Sequence, residues 1–544
     1  MASIPTYILR QIPTPYFVIL VTAVSASSAL AVMASAPSFI ATGDASGYAV
    51  LGREIIDNGY MIPSTNTLHY PGSQWIYPPV VPYMIAFLLT FTGYGSSAFV
   101  SITILGAILV SLSCVPMYLV SRNLFGEVKG RIISLIFSCY PPSLYTLTWG
   151  GYPQLLAFVL MVWILYFALR FQDFKFQVLR SGLIEGLLVG ALVLTHDVSG
   201  IATVLVFAAV TVYFLTRRML MGSNAETSRN AAFFAISFSS GMVAAIYWYL
   251  PRLQWVLYSI FPTSSPVYNG LVRSTVSGSF YSSLTEDFLA LTQVANGLFA
   301  LWPIMIIGVG LFLAVLYRLL KHGFGSVKFL VLAFFVIVPL LLMVIEIGNP
   351  TLFARLSYIV ILFSFPVVAY VVLEGISALQ RRYDVRRGVK KHRGSTAVLL
   401  SAAVLVISNG AVAIDFNAVS HAYYSVGSAN TPGVNGVADY FLNYVSNRDS
   451  IVCAPGYLGY YISEHSGNPV FSFYNYSDLT QPAEWTESHV AYVLIFESYN
   501  ESSLANSYVT QYIVSYVVIP HYVNKIDSEY KLVYQNEFYG IYLA

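Results

Sequence analysis

Charge is what this sequence has least of: 10% of its 544 residues are charged, against 57% hydrophobic. Soluble domains carry about 25% charged residues. So small a charged fraction cannot clothe a water-facing surface over this length, which excludes a soluble multidomain enzyme and equally a disordered or fibrous chain. Cysteine is scarce as well, at three residues. Cys114 and Cys139 lie in apolar runs and Cys453 stands alone, so neither a disulfide framework nor a cysteine-based metal site can be assembled. No basic stripe accompanies exposed aromatics, which argues against nucleic acid as a partner. Ionisable residues are rare in the middle of the long apolar runs. That weighs against a pump or proton-coupled transporter, which needs a buried chain of them.

The abundant feature is the apolar run of roughly 20 residues, the length of a spanning helix. Such runs lie at Tyr16–Ile40, Ala98–Val120, Ile132–Thr148, Pro153–Ala168, Leu183–Thr195, Ser199–Leu215, Ala231–Leu250, Val294–Tyr317, Phe329–Ile345, Leu352–Leu373 and Thr396–Ile414. The fold expected is a polytopic α-helical membrane protein of about eleven transmembrane helices. The first run is long and lacks a small-residue cleavage site, so it reads as a retained anchor.

The formal net charge of +2 hides an asymmetry. From Asn417 onward there are three basic residues (Arg448, Lys525, Lys531) and eleven acidic ones, while the preceding part carries 24 basic and 14 acidic. Two environments are implied. Treating the short apolar segment Val80–Thr90 as an interfacial helix puts 20 of those 24 basic residues on one side of the membrane, whereas counting it as a span destroys the alternation. The expected location is the cell membrane, with a cytoplasmic N-terminus and an extracytoplasmic C-terminal region. The chain divides into a membrane domain, 1–415, with a long first outer loop at 41–97, and an acidic outer domain, 416–544. Two glycosylation sequons, Asn475-Tyr476-Ser477 and Asn500-Glu501-Ser502, both fall in the outer domain. That domain reads as a small α/β unit: a helix over Val434–Val445, strands at Ser450–Ala454, Pro469–Tyr474 and Val490–Phe496, and a closing hairpin over Tyr530–Leu543. Its 19 tyrosines are core and surface aromatics that can also stack on sugars.

Polar chemistry gathers toward the outer face in four places. In the first outer loop, Asp44 opens a helical stretch with Tyr48 one turn on. A partly desolvated carboxylate there can serve as a general base on an acceptor hydroxyl, although Asp is also a favoured helix cap. At the end of the third run, Trp149-Gly150-Gly151-Tyr152-Pro153-Gln154 combines backbone that a ligand can approach with stacking rings and an amide; an interfacial aromatic belt has the same composition. Thr195-His196-Asp197 joins two short runs, and His196 beside Asp197 can orient a phosphate or hydroxyl or form a self-bonded polar turn. Arg355, three residues before Tyr358, is one of four basic residues on the outer side of the membrane part. A guanidinium at that depth suits a lipid phosphate through a bidentate contact, with pairing to Glu346 as the alternative.

The order of these features resembles the GT-C glycosyltransferases: a long first outer loop with an early Asp, a short helix led by Tyr77-Pro78-Pro79, a span ending Ser121-Arg122-Asn123-Leu124-Phe125-Gly126, and Arg355-Leu356-Ser357-Tyr358 followed by Phe365-Pro366 in a late span. Within that superfamily it is most similar to protein O-mannosyltransferases and bacterial aminoarabinose transferases. The Trp-Gly-Gly-Tyr-Pro and Thr-His stretches resemble archaeal membrane proteins of this type. The resemblance implies transfer of a sugar from a polyprenyl-phosphate carrier to an extracytoplasmic glycan, lipid or protein acceptor, with membrane lipid as surroundings. Asp44 matches the family's acidic residue of the first loop, and Arg355 the position that holds the lipid phosphate. His196, Asp197, Tyr48, Trp149, Tyr152, Gln154 and Tyr358 complete the candidate substrate site. Two departures stand out. No acid lies in the outer loop between the third and fourth runs, where oligosaccharyltransferases place an Asp-x-Asp metal site, so no cofactor is expected and a divalent metal lacks that support. The outer domain has no Trp-Trp-Asp acceptor motif, which points to single-sugar rather than en-bloc transfer. Two readings from other classes stay open: a non-catalytic anchor displaying the outer domain for interaction, and a lipid or solute transporter.

Overall fold

The computed structural model describes residues 11–34, 44–68, 71, 74–148, 150–171, 177–221, 225–252, 327–345, 350–387, 434–473, 490–496, 531–535 and 539–543. The described residues are mostly helical, and six helices among them are long and apolar enough to cross a membrane. The runs expected at Val294–Tyr317 and Thr396–Ile414 lie outside the described residues. Contacts divide the chain into two compact units, one drawn from Met1–Ala29, Ile108–Leu144 and Pro153–Ala413, the other from Leu30–Ala107, Tyr145–Tyr152 and Ile414–Ala544.

In chain order the helices are α1 (Thr14–Ala34), α2 (Asp44–Asp57), α3 (Val80–Thr92), α4 (Ser96–Leu112), α5 (Cys114–Phe125), α6 (Glu127–Phe137), α7 (Pro141–Thr148), α8 (Tyr152–Arg170), α9 (Val178–Val193), α10 (Asp197–Met221), α11 (Ala225–Tyr249), α12 (Val327–Ile345) and α13 (Pro350–Arg387). The stretch expected as one span at Ile132–Thr148 is two helices, α6 and α7. The break falls just before Pro141-Pro142, because proline lacks the amide hydrogen and disfavours helical backbone at the residue before it. Helix α3 has 13 residues, a length of about 20 Å, short of the roughly 30 Å hydrocarbon layer.

Within the first unit, α9 and α11 run in the same direction in close contact. Gly182, Gly186 and Gly190 face Ile236, Ser240 and Ala244, and a Cβ built on Gly186 would stand 2.4 Å from the Cβ of Ser240. Helix α10 packs on both, and rings of Phe207, Phe214, Phe233 and Phe234 fill the space between α10 and α11. The Ser121–Gly126 motif forms the corner between α5 and α6. Gly126 takes φ +85°, a left-handed conformation that side chains resist. Glu127, just past the corner, pairs with Arg122 at 2.7 Å and with the buried Arg131 at 2.6 Å, and accepts a hydrogen bond from the Tyr118 hydroxyl at 2.6 Å.

The second unit contains α14 (Val434–Tyr444), β1 (Ile451–Pro455), α15 (Gly456–Ser466), β2 (Val470–Phe473), β3 (Val490–Phe496), β4 (Lys531–Gln535) and β5 (Tyr539–Leu543). Its sheet has the order β2-β1-β3-β5-β4, with β1 parallel to β2 and β3 and the β3–β5 and β5–β4 pairs antiparallel. Helix α15, which sequence periodicity does not single out, connects the parallel strands β1 and β2 and packs on α2 of the first outer loop. Arg53 of α2 donates to the Glu464 backbone carbonyl and lies 4.3 Å over the Tyr94 ring, and the Gly95 amide lies 3.1 Å from both Glu464 carboxylate oxygens. Burial pushes the Glu464 carboxyl up to about 8. Glu54 accepts the amides of Thr67, at 2.8 Å, and Leu68, and the Leu68 carbonyl accepts the amide of Val470 at the start of β2.

Candidate functional site

The first unit brings two of the candidate residues together. Helix α10 begins at Asp197, so its carboxylate sits where the unpaired amides of the first turn favour an anion, and Asp197 Oδ1 accepts the Val198 amide at 2.8 Å. Arg355 lies six residues into α13, and its Nη1 stands 3.9 Å from that same Oδ1. At 3.9 Å the two groups attract as charges without sharing a hydrogen bond. Both remain about one-third accessible, at 34% for Arg355 and 29% for Asp197. Among the described residues the guanidinium makes no hydrogen bond, and it has five N–H donors to offer. Glu346, the alternative partner considered from sequence, lies outside the described residues.

His196 is buried, and its Nδ1 accepts the Ser199 amide at 3.2 Å, which leaves Nε2 to carry the proton of the neutral ring. Burial holds the imidazole below the ordinary histidine range. Thr195 returns its hydroxyl to the Ala191 carbonyl at 2.7 Å and so closes the turn. The end of α11 supplies Tyr249, whose hydroxyl donates to the Val193 carbonyl at 3.2 Å, and Arg252 follows in the 3-10 turn Leu250–Arg252, 3.7 Å over the Trp248 ring. Neither Tyr249 nor Arg252 is singled out by sequence, where both resemble members of an interfacial belt. Tyr358 is buried one turn beyond Arg355 on α13. Gln154, near the start of α8, is buried with its Oε1 lacking a hydrogen-bond partner among the described residues.

In the second unit, Asp44 is the first residue of α2 and half-buried. Tyr48 lies one turn on, its ring edge-on to Tyr77 with centroids 6.4 Å apart. Gly150 takes φ +79°, and the wholly buried Tyr152 packs against Gly106 of α4, where a Cβ would come within 2.7 Å of its ring. Trp149 lies outside the described residues. Among the described residues no three His, Cys, Asp or Glu side chains gather as a metal set. One further buried acid, Glu185 in the Leu-Ile-Glu-Gly stretch of α9, has neither carboxylate oxygen hydrogen-bonded among the described residues.

The fold is similar to that of solved structures of ArnT and of an archaeal oligosaccharyltransferase. ArnT from Cupriavidus metallidurans in the apo state superposes with a TM-score of 0.56 at 12% identity, over 97% of this chain and 98% of that one. The same protein bound to undecaprenyl phosphate gives 0.53 at 13% identity, covering 98% of each chain. The archaeal oligosaccharyltransferase AglB from Archaeoglobus fulgidus, in complex with an inhibitory peptide and a dolichol-phosphate, gives 0.58 at 13% identity over 89% of this chain and 69% of that one. At this identity it is the fold that is shared. No family model and no curated protein sequence matches the chain.

Proposed function

We propose that the protein is a multi-pass membrane glycosyltransferase that moves a sugar from a polyprenyl-phosphate carrier to an extracytoplasmic acceptor. The observation that carries this reading is Arg355: an accessible guanidinium near the start of a membrane helix, without a hydrogen bond among the described residues, in a fold shared with ArnT bound to undecaprenyl phosphate and AglB bound to dolichol-phosphate. In the proposed reaction the acceptor oxygen attacks the anomeric carbon from the face opposite the phosphate and the configuration inverts. Asp44 takes the hydroxyl proton as general base. The carbon–oxygen bond to the carrier breaks with its electron pair on the phosphate, and Arg355 stabilises the charge that develops there. His196 and Asp197 border the phosphate position, and Tyr48, Trp149, Tyr152, Gln154 and Tyr358 are assigned to the substrate-binding shell. The accompanying topology has about eleven spans, a cytoplasmic N-terminus, a membrane domain over 1–415 and an extracytoplasmic domain over 416–544.

Asp44→Asn tests the assignment of the base. The variant is expected to insert and accumulate as the wild type does while transfer of radiolabelled sugar from the lipid carrier falls by about a hundredfold or more. Normal product from Asp44→Asn would remove Asp44 from the chemistry.

A further inference from the structure

Arg355 is offered to a ligand with a carboxylate already beside it, and that arrangement is unfavourable for a site meant only to hold as much negative charge as possible. We infer that Asp197 makes the Arg355 site a discriminator of phosphate charge, accepting a phosphodiester monoanion and disfavouring a phosphomonoester dianion. This rests on the reading of Arg355 as the phosphate-binding residue. The oxygen of Asp197 that faces Arg355 is the one held by the Val198 amide at 2.8 Å, at the first residue of α10, so the carboxylate is tied in place rather than free to swing aside. Arg355 and Asp197 together sum to zero charge. A monoanion is then held by hydrogen bonds from the guanidinium's fork to the two oxygens that share its charge. The second negative charge of a dianion rests in part on an oxygen outside that fork, farther from the guanidinium and nearer the carboxylate, a penalty of about tenfold to a hundredfold in affinity at the effective dielectric of a partly exposed site.

The two charge states are the two ends of the proposed reaction. The donor is a diester with one charge. Transfer forms the bond from acceptor oxygen to anomeric carbon, breaks the bond from that carbon to the phosphate oxygen, leaves the electron pair on phosphate and sends the acceptor proton to the base. The carrier that remains is a monoester whose second ionisation lies near pH 6, so it is largely a dianion at neutral pH. Asp197 therefore weakens the grip on spent carrier more than on loaded carrier and promotes its release. The other titratable or charged groups here are His196 in the turn before α10, Tyr249 and Arg252 at the end of α11, and Tyr358 on α13. His196 is held neutral by burial, and phenol and guanidinium groups do not ordinarily titrate near neutrality.

The test uses full-length protein in detergent micelles and two probes, farnesyl phosphate as the monoester and its methyl ester as the diester, titrated at about pH 5.5 and about pH 8. The wild type is expected to prefer the diester by about tenfold or more at the higher pH and to lose most of that preference at the lower, where the monoester carries one charge. Asp197→Asn, which keeps an oxygen for the Val198 amide, is expected to gain about tenfold in monoester affinity at the higher pH while diester affinity moves by less than about threefold. Equal wild-type affinity for both probes at the higher pH overturns the inference, as does a preference that Asp197→Asn leaves intact. The wild-type comparison stands without any variant. Arg355→Gln separates the two ideas: unchanged binding of both probes refutes the phosphate reading itself, whereas loss of both, alongside a wild type that does not discriminate, refutes only the role of Asp197.

Discussion

Two ion pairs in the membrane unit, one at the α5–α6 corner and one where α10 meets α13, differ in how completely their donors are used. At the corner, Glu127 is saturated: it touches Arg122 and Arg131 at 2.7 and 2.6 Å and accepts the Tyr118 hydroxyl, while Arg131 also donates to the Ile12 carbonyl at 2.7 Å. At the α10–α13 contact, Arg355 stands 3.9 Å from Asp197 with no hydrogen bond among the described residues. A charged group whose hydrogen-bonding capacity is spent on protein is read as structural, whereas the proposed ligand role of Arg355 draws on donors that make no hydrogen bond among the described residues. Opposite charges at similar sequence positions, near helix ends, thus carry different meanings, and distance tells them apart.

The sharpest way to break the contrast is Arg355→Ala. Transfer from the lipid-linked donor is expected to fall by about a hundredfold or more while the melting temperature of the purified protein stays near that of the wild type. A large loss of stability with normal specific activity would make the two ion pairs alike. Glu127→Ala should do the reverse. It leaves Arg131, which is 3% exposed, without its counter-ion, and is expected to cost about 1–3 kcal/mol in denaturant or thermal unfolding, with the proposed transfer activity of the surviving folded protein unchanged. The smallest effect is expected in the other unit. Glu464, raised by burial to about 8, binds its proton more tightly folded than unfolded. Its contribution is therefore full below the ordinary carboxylate range and is lost as pH rises through about 8. The wild-type melting temperature should drop by a few degrees between about pH 6 and about pH 9, and Glu464→Gln, which still accepts the Gly95 amide, should flatten that dependence.

Much of the helical frame was legible because lipid sets the length of its elements: α8, α10, α11 and the spanning part of α13 coincide with apolar runs read directly from the sequence. Helix α3 was legible as a short apolar element over Val80–Thr90, and the structure gives a helix of 13 residues there. The α6–α7 break was not anticipated, although Pro141-Pro142 marks it, because hydropathy averages across the interruption. The residues of the Asp197–Arg355 contact were legible one by one and their pairing was not. Asp197 and Arg355 each stand out as polar groups near helix ends, but their proximity depends on how α10 and α13 pack, which periodicity does not encode. The packing of α2 on α15 was invisible for the same reason: Arg53 and Glu464 are 411 positions apart, and nothing local in either segment points to the other. Tyr249 carries no local signal among so many aromatics, whereas Glu185 does, as a lone acid in an apolar helix.

The glycine face of α9 acts as a ruler. Gly182, Gly186 and Gly190 seat against Ile236, Ser240 and Ala244, where an added Cβ would stand 2.4 Å from Ser240 at Gly186 and 3.1 and 3.2 Å from its neighbours at Gly182 and Gly190, so sliding or rotating α9 on α11 would crowd the opposite helix. One residue inserted in α9 would displace its far end by about 1.5 Å and turn it by about 100°. That far end carries Thr195, His196 and Asp197, and the matching end of α11 carries Tyr249. The height and heading of the carboxylate beside Arg355 therefore depend on the close seat of these glycines, Gly186 above all, and an insertion upstream would mis-set the distance from Asp197 to Arg355 without altering either residue.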